Sequence, residues 1–432
     1  MQHTREIPVV GKFDLVVCGG GAAGIGAAIA AAERGVNTAL VERFSFLGGM
    51  ATAGFVNPMS EFAYNGRFIT GGIPRRFADT LIALGGAQFE EPRCNLSFDP
   101  EVYKLAAFRM LTQAGVTLYM NTFLSDCVKE NGTLSKVIIS NKEGLQALEA
   151  DYFIDATGDA DLAWQAGLEM LPQCRDRQPG SLCFCLSGVD TSTQRMHIIH
   201  QRNHRFNHQA VFVRETLLSL REQGVSVPQF GGPWLATTMS EGCITVNMTR
   251  SPVDATNVQD LQCAEAKMRE DIFTLVKLMK EHVAEFRNCR ITAIASAIGV
   301  RESRRVKGVH VLTGQEYVDC VKFPDSVARA CHPVDIHLPG DEGQELTFPT
   351  DAGYIPFRSL ITEHEPNLLI AGRCISADAE AFAAIRVQAP CMETGQAAGI
   401  AVALCQADGV AVQDVDITKL VAEVRREGSI LE

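Results

Sequence analysis

The first apolar stretches of the chain predict a strand, a helix and a second strand, in that order. Residues 13–18 are apolar on both faces, which is typical of a buried central strand in a parallel sheet. Small apolar residues from about Ala22 to Arg34 predict a helix that ends at Gly35, and residues 37–41 form the next apolar run. This order predicts a parallel βαβ unit at the start of the sequence.

Later patterns add helices, antiparallel strands and a second region of mixed structure. Residues 72–86 and 100–114 have the spacing of amphipathic helices, and residues 117–144 alternate as a meander with turns at Asn131-Gly132 and Glu143-Gly144. Residues 257–283 predict one long amphipathic helix. Apolar runs at 151–155 and 368–371 predict buried strands, and a helix rich in small residues is expected from about Met392.

The break between the first strand and the first helix carries the clearest chemical signal. Gly19, Gly21 and Gly24 form a GxGxxG pattern, in which the glycines allow a tight turn, close approach of a pyrophosphate and close packing of the helix. Glu42 ends the second strand, where a carboxylate binds the hydroxyls of an adenosine ribose. The spacing therefore predicts a dinucleotide site; a tight turn without a ligand is the alternative.

A membrane span or a secretion signal is the competing interpretation of the same stretch. Residues 15–32 are eighteen residues without a charge, the length at which a spanning helix becomes conceivable. Five of them are glycines, however, and Glu6 and Asp14 interrupt a cationic leader. We therefore expect a soluble and cytoplasmic protein with no membrane contact.

Composition narrows the classes of function. The net charge of −12 argues against a nucleic-acid partner, which would favour a basic face. Fourteen cysteines occur without a CxxC pair, so they are expected to be mostly buried thiols in a reducing compartment.

Three segments favour FAD over NAD as the dinucleotide. Residues 46–54 (FLGGMATAG) offer a second glycine pair, which suits a loop along the diphosphate and would lead Met50 and Thr52 toward a flavin ring. The strand at 151–155 runs into the turn Ala-Thr-Gly-Asp. The helix of small residues that is expected from about Met392 could direct its positive N-terminal end at the flavin N1–C2=O edge, where negative charge collects on reduction.

These segments together resemble the FAD-dependent oxidoreductase family of the two-dinucleotide-binding-fold type. The resemblance is strongest to the branch that includes the flavin subunit of heterodisulfide reductase. It is carried by residues 13–54, 154–163, 298–317 (IGVRESRRVKGVHVLTGQEY), 332–340 (HPVDIHLPG), 354–360 (YIPFRSL) and 367–403. The chain departs from that subunit and from pyridine-nucleotide reductases, because it has neither a CxxCxxC run nor a second GxGxxG.

The resemblance implies an α/β fold whose Rossmann-like FAD-binding domain, a parallel sheet with a β-meander, is split in sequence around an α+β substrate or cap domain. The expected ranges are 10–165 and 351–410 for the FAD-binding domain, 166–350 for the cap domain and 411–432 for a C-terminal helix. The expected FAD contacts are Gly19, Gly21, Ala22, Ala23, Gly24, Glu42, Arg43, Gly48, Gly49, Met50, Thr52, Cys127, Val128, Ala156, Thr157, Gly158, Gly372, Arg386, Gly395 and Ala398.

Four residues are the candidates for catalysis. Arg301 begins the sequence RESRR, which follows an apolar segment of small residues that predicts a strand. Its guanidinium could clamp a substrate carboxylate or stabilise reduced flavin, and a salt-bridged turn is the alternative for this cluster. His337, which follows His332 and Asp335, could take a proton as a hydride leaves for flavin N5; a surface loop is its alternative. Tyr354 and Arg373 could orient the substrate or contact the flavin, or could simply pack.

Two other clusters are weighed and assigned to structure. Cys183 and Cys185 flank one residue of a strand, and two core thiols are more plausible there than a redox pair. The histidines His197, His200, His204 and His208 share a helical face, but a solvated or partner-facing helix is the favoured reading. No metal is expected.

The predicted function is an enzyme that transfers a hydride between flavin N5 and a small, possibly anionic, organic substrate. The alternative is an electron-transfer subunit whose flavin passes electrons to a redox partner protein, and a flavin-binding module without turnover is a third hypothesis. A homo-oligomer is also possible.

Overall fold

The structure is a computed structural model, and it describes residues 4–90, 94–173, 177–196, 210–338 and 343–432. The strands are β1 (Val9–Cys18), β2 (Thr38–Val41), β3 (Ala63–Tyr64), β4 (Arg67–Phe68), β5 (Ala87–Glu90), β6 (Asn95–Phe98), β7 (Thr117–Tyr119), β8 (Phe123–Glu130), β9 (Thr133–Asn141), β10 (Gly144–Asp155), β11 (Phe184–Ser187), β12 (Phe230–Thr237), β13 (Ile244–Thr249), β14 (Arg290–Ile294), β15 (Ser326–Ala330), β16 (Val334–His337), β17 (Gln344–Thr347), β18 (Gly353–Pro356) and β19 (Leu368–Ile370).

Ten α-helices are described in those residues. They are α1 (Ala22–Ala32), α2 (Gly72–Ala83), α3 (Pro100–Gln113), α4 (Asp161–Gln165), α5 (Val211–Glu222), α6 (Val258–His282), α7 (Gly314–Val318), α8 (Ala379–Ile385), α9 (Gln388–Asp408) and α10 (Ile417–Arg426). None of the helices in this described part of the chain combines the length and apolar composition needed to cross a bilayer.

The largest sheet has the order β7-β2-β1-β10-β9-β8, and β19 pairs with β10. The pairs among β7, β2, β1, β10 and β19 are parallel, whereas β8, β9 and β10 form the antiparallel meander that the sequence predicts. The last four residues of β1 and all of β2 are buried, as expected for strands covered on both faces. The α/β fold class with a Rossmann-like sheet is therefore confirmed.

Helices α1 and α9 lie against each other, and the small residues of both allow this close contact. Gly395 of α9 packs on the backbone of Ala23 in α1. The contact places the N-terminal ends of two helices near the carboxyl ends of β1 and β19. Parallel α/β sheets bind their ligands at this edge.

A second, smaller sheet has the antiparallel order β12-β13-β11-β14 and packs with α5 and α6 around its own apolar core. Apart from Phe55, the buried residues of this core lie between Leu182 and Ile298. The larger apolar core, here called the first core, contains side chains of β1, α1 and α9. Val306, Leu312, Ile355 and Ile361 pack with this first core and not with the core of the small sheet. The four predicted domain ranges remain a prediction beside this grouping.

Two local predictions are corrected by the structure. Helix α9 begins at Gln388, four residues before the expected Met392. The helix begins there because Val387, its N-cap residue, has extended backbone geometry. Strand β14 ends at Ile294, so the residues just before Arg301 are not a strand but an irregular segment that bridges to Ser181 through Gly299.

Candidate active site

The turn between β1 and α1 has the geometry that the glycine pattern predicts. A Cβ atom at Gly24 would lie 1.8 Å from the carbonyl oxygen of Gly19, so only glycine allows the helix to start this close to the turn. A Cβ atom at Gly21 would instead meet only Gly49 Cα, at 3.8 Å, and would otherwise enter open space. The turn is tight on its inner side and open on the side that faces the pocket.

Helix α1 directs its N-terminal end at this open space. Among the described residues no side chain caps α1, and its first turn holds no acidic residue. The N–H groups of its first turn therefore remain as donors, and the helix dipole adds positive potential. This arrangement is a ready anion site, suited to the phosphates of a dinucleotide.

Glu42 lies at the end of β2 and is only 5% exposed. Its Oε2 accepts a hydrogen bond from Gly20 N at 2.7 Å, and its Oε1 accepts one from Phe44 N at 2.9 Å. Burial raises the pKa of this carboxyl despite these hydrogen bonds. The two backbone donors fix the carboxylate beside the glycine turn, and each oxygen keeps a second lone pair for a ligand hydroxyl.

A pocket of about 840 Å³ surrounds this turn. Most of the predicted cofactor residues line it: Gly19, Gly21, Ala22, Ala23, Glu42, Arg43, Gly48, Gly49, Met50, Ala156, Thr157, Gly158, Gly372 and Arg386. They come from four separate stretches of sequence, which the parallel sheet brings to one edge.

The other predicted cofactor residues do not line this pocket. Gly24 is covered by the turn, and the hydroxyl of Thr52 donates to Leu47 O at 2.7 Å. The remaining four lie on β8 or at the contact of α9 with α1: Cys127, Val128, Gly395 and Ala398. The structure gives Gly24 and Gly395 packing positions rather than contact positions.

A larger cleft of about 1170 Å³ adjoins the dinucleotide pocket, between the first core and the small sheet. The two cavities share five residues: Met50, Val300, Arg373, Arg386 and Gln388. A molecule in the cleft would therefore lie against one end of a molecule in the pocket.

Arg301 lines the cleft, and a second arginine lies beside it. Arg301 Nη1 donates to Ser181 Oγ at 2.9 Å and to Pro179 O at 2.6 Å. Arg250, which is fully buried, also donates to Ser181 Oγ and stands over the ring of Trp234 at 5.1 Å. Burial lowers the pKa of both arginines, and it lowers that of Arg250 well below its usual value.

His337 is also in the cleft, but its hydrogen bonds differ from those of a free base. Its Nδ1 lies 3.4 Å from Arg250 Nη2, and its Nε2 lies 3.0 Å from Asp335 Oδ2. A guanidinium only donates and a carboxylate only accepts, so the ring is neutral with its proton on Nε2. Burial, and then the charge of Arg301, lower the pKa of His337 well below its usual value. Both nitrogens are occupied, which disfavours the predicted role as proton acceptor.

Asp335 accepts the hydrogen bond from His337 Nε2–H and lies next to a third arginine, Arg386. Burial alone would raise its pKa, but the hydrogen bond from His337 and the charge of Arg386 hold the pKa below its usual value. Arg386 Nη2 donates to Asp335 O at 3.0 Å and to Gln178 Oε1 at 3.2 Å. Burial lowers the pKa of Arg386 to about 10, so the side chain stays charged at neutral pH.

Arg373 stands at the border between the pocket and the cleft. Its Nη2 forms an ion pair with Asp159 at 2.6 Å, and its Nη1 donates to Ser303 Oγ at 2.9 Å. Asp159 follows the predicted Ala-Thr-Gly turn and lines the pocket itself. Arg373 is thus positioned by its partners to touch both ligands.

Tyr354 is the catalytic candidate that the structure does not bring to the cleft. It lies on β18, is 8% exposed, and packs its ring against the guanidinium of Arg329 at 4.8 Å. It lines neither cavity. Its burial in this packing contact is a structural role, and we propose no catalytic one.

Three further arginines, two of them in the sequence RESRR, form ion pairs or backbone hydrogen bonds near the site. Arg304 pairs with Asp161 at 2.5 Å, and Arg305 donates to the backbone oxygens of Ala377 and Pro172. Arg358 makes an ion pair with Asp325 at 3.0 Å. These residues hold the loops around the site in place.

The cysteine and histidine clusters carry no site in the described residues. Cys183 lines the cleft and Cys185 does not, and both are free thiols. The histidines at 197, 200, 204 and 208 lie outside the described residues. Within the described residues no group of three or more His, Cys, Asp or Glu side chains is arranged to hold a metal.

Sequence reasoning missed several residues that the structure places here. Gln388 begins α9 and lines both cavities; its Nε2 donates to Val56 O at 2.7 Å, while its buried Oε1 has no partner among the described residues. Glu61 lines the cleft together with His332. The only local signal for Gln388 was its position two residues after Arg386.

The residues present fit FAD. The open side of Gly21 and the uncapped end of α1 suit the diphosphate, Glu42 suits the ribose, and the pocket continues to a border with the cleft. The orphaned acceptor of Gln388 at that border suits an N–H donor of the kind the flavin ring carries.

Comparison with known proteins gives a family and a set of distant folds. The sequence profile of the family described as FAD dependent oxidoreductase matches residues 14–425. No curated protein sequence is significantly similar to this chain.

Among solved structures, a geranylgeranyl bacteriochlorophyll reductase-like protein from Thermoplasma acidophilum is similar over 96% of this chain and 83% of its own, with 13% identity and a TM-score of 0.49. The OxyS anhydrotetracycline hydroxylase from Streptomyces rimosus is similar over 96% and 66%, with 12% identity and a TM-score of 0.47. A triple mutant of the flavin-dependent brominase Bmp2 is similar over 96% and 84%, with 13% identity and a TM-score of 0.48. With scores below 0.5, these likenesses carry no functional conclusion for this chain.

Proposed function

Because the chain belongs to the FAD-dependent oxidoreductase family, we propose that it binds FAD in the glycine-lined pocket and oxidises or reduces a small organic anion in the adjoining cleft. When bound, FAD supplies the flavin N5 position that accepts or donates a hydride. The chain's own residues bind the cofactor, orient the substrate and exclude water.

One observation carries this proposal: the pocket and the cleft share a border. Met50, Val300, Arg373, Arg386 and Gln388 belong to both cavities, so the occupants of the two would be in contact. Hydride transfer needs such contact, because the reacting atoms must lie about 3–3.5 Å apart.

The charge of the cleft supports an anionic substrate. Arg301, Arg373 and Arg386 line it, while Asp335 and Glu61 are the carboxylates on its wall. Arg386 and Arg373 each have an acidic neighbour, but Arg301 donates only to neutral oxygens of Pro179 and Ser181 in the described residues. Although the charge of Asp335 also acts on Arg301, the guanidinium forms no ion pair within the described residues, and it can therefore bind a carboxylate.

A two-part experiment tests the proposal. The purified protein, reconstituted with FAD, is first examined by absorption spectroscopy; then small carboxylates and their uncharged amides are added in pairs, without oxygen, to look for flavin perturbation or bleaching. We expect a yellow protein whose spectrum responds to carboxylates and not to amides. Equal responses to both would remove the anionic substrate, and failure to bind FAD would remove the whole proposal.

The same experiment distinguishes the alternative function. An electron-transfer subunit would hold FAD but would show flavin reduction only when a redox partner protein is present. A flavin-binding module would stay oxidised with every donor. Bleaching of the isolated chain by a small molecule would support the enzyme.

A further inference from the structure

The cleft contains a second histidine, His332, whose ring differs from that of His337 in its hydrogen bonds. His332 lines the cleft and its side chain is 13% exposed. Its Nδ1 is buried without a hydrogen-bond partner in the described residues and lies 3.6 Å from Glu61 Oε1. Within the same residues, no hydrogen bond occupies its Nε2.

Glu61 is held firmly beside this ring. It is 3% exposed, and its Oε2 accepts a hydrogen bond from the thiol of Cys331 at 3.5 Å. The backbone of His332 is fixed as well, because Tyr317 donates its hydroxyl proton to His332 O at 2.6 Å. Glu61 and His332 therefore lie so close that a small movement of either side chain would bring them within hydrogen-bonding distance.

This geometry favours one position for the imidazole proton of His332. A carboxylate only accepts hydrogen bonds, so Glu61 favours the tautomer with its proton on Nδ1. The lone pair is then on Nε2, the nitrogen that no described protein group occupies. Such a pair, in which a carboxylate orients a histidine that faces the substrate, is the usual arrangement of a general base, and its hydrogen bonds are often long before substrate binds.

We propose that His332, oriented by Glu61, exchanges a proton with the substrate in the cleft. In the oxidative direction, the substrate's O–H or N–H proton passes to His332 Nε2, while the hydride on the adjacent carbon leaves with its electron pair to FAD. The substrate loses two electrons, FAD gains them, and the C=O or C=N bond forms. This inference rests on the proposed function.

Charged side chains of both signs line the cleft with His332. His332 and Asp335 are close enough to interact electrostatically, and both line the cleft. In the described part of the chain, the other charged and titratable side chains that line the cleft are Glu61, Cys183, Arg301, Asp335, His337, Arg373 and Arg386, and Cys331 contacts Glu61.

The test is a nitrogen NMR titration of the FAD-loaded protein with ¹⁵N-labelled histidine. The His332 signals are assigned from their loss in His332→Gln, and ¹⁵N shifts report which nitrogen carries the proton. We expect the Nδ1–H tautomer in the neutral form, a shift toward Nε2–H in Glu61→Gln, and no change in Glu222→Gln, a matched change on the surface of α5. An Nε2–H tautomer in the parent protein, or no response to Glu61→Gln, would overturn the proposal.

A rate measurement follows for any carboxylate that bleaches the parent protein. His332→Gln should slow flavin reduction about 10²–10⁴-fold, the usual contribution of a general base, and leave the FAD content unchanged. An unchanged rate would also overturn the proposal. A colourless parent protein would contradict the proposed function instead, so the two failures can be told apart.

Discussion

Replacing Gly21 by alanine should weaken FAD binding without harming the fold. Gly21 has φ −75° and ψ −172°, which alanine adopts freely, and an added Cβ would meet only Gly49 Cα at 3.8 Å. The methyl group would instead project into the pocket, between the backbone and the diphosphate. The apoprotein should therefore stay folded, with a free energy of unfolding equal to or about 0.4–1 kcal/mol above that of the parent.

The expected loss of affinity follows from the hydrogen bonds that the methyl group would displace. One hydrogen bond between a backbone N–H and a charged phosphate contributes about 1.5–3 kcal/mol. Losing one of them would raise the dissociation constant of FAD about 10- to 150-fold, since each 1.4 kcal/mol is a factor of ten.

The assay is a titration of apoprotein with FAD, followed by flavin fluorescence, beside urea unfolding of the same preparations. Gly24→Ala is the contrasting variant, because its Cβ would lie 1.8 Å from Gly19 O and should destabilise the fold itself. If Gly21→Ala is folded and binds FAD as tightly as the parent, the assignment of the diphosphate to this turn is refuted.

Three further predictions concern the cleft, the border and α9. Arg301→Ala should weaken the binding of small carboxylates to the FAD-loaded protein about tenfold or more, measured by spectral titration, while Tyr354→Phe should leave it unchanged because Tyr354 lies outside the cleft. Gln388→Leu should weaken FAD binding, because it removes the acceptor and the hydrogen bond to Val56 O; an unaltered dissociation constant would exclude contact between Gln388 and the flavin. Burial raises the pKa of Glu393 to about 8 from 4.5, so the native state holds a proton that the unfolded chain has released. The free energy of unfolding should consequently fall as the pH rises from about 5 to about 8. Glu393→Gln should make the urea midpoint of unfolding less dependent on pH over that range.

The dinucleotide pocket was largely predictable because its signals are local. The glycine spacing, the small residues of α1 and the carboxylate after β2 lie within 24 residues, and each is demanded by a turn or a helix start. The parallel pair of β1 and β2 and the antiparallel meander were predictable for the same reason, whereas the positions of β7, β10 and β19 in the sheet depend on contacts between distant segments.

The cleft was less predictable because its walls come from distant segments. The tautomer of His337 depends on Arg250, 87 residues away, and the orientation of His332 depends on Glu61. His332 and His337 lie close together in the sequence. Only the folded structure shows that both ring nitrogens of His337 have hydrogen-bond partners, whereas those of His332 have none among the described residues. Tyr354 likewise looked close in sequence to site residues, yet β18 places its ring against Arg329.

The most direct test is a crystal structure of the protein with FAD bound. The account predicts the diphosphate within hydrogen-bonding distance of Ala22 N and Ala23 N, the ribose beside Glu42, and the flavin ring at the border formed by Arg373 and Gln388. FAD bound elsewhere, or with its ring turned away from the cleft, would contradict it.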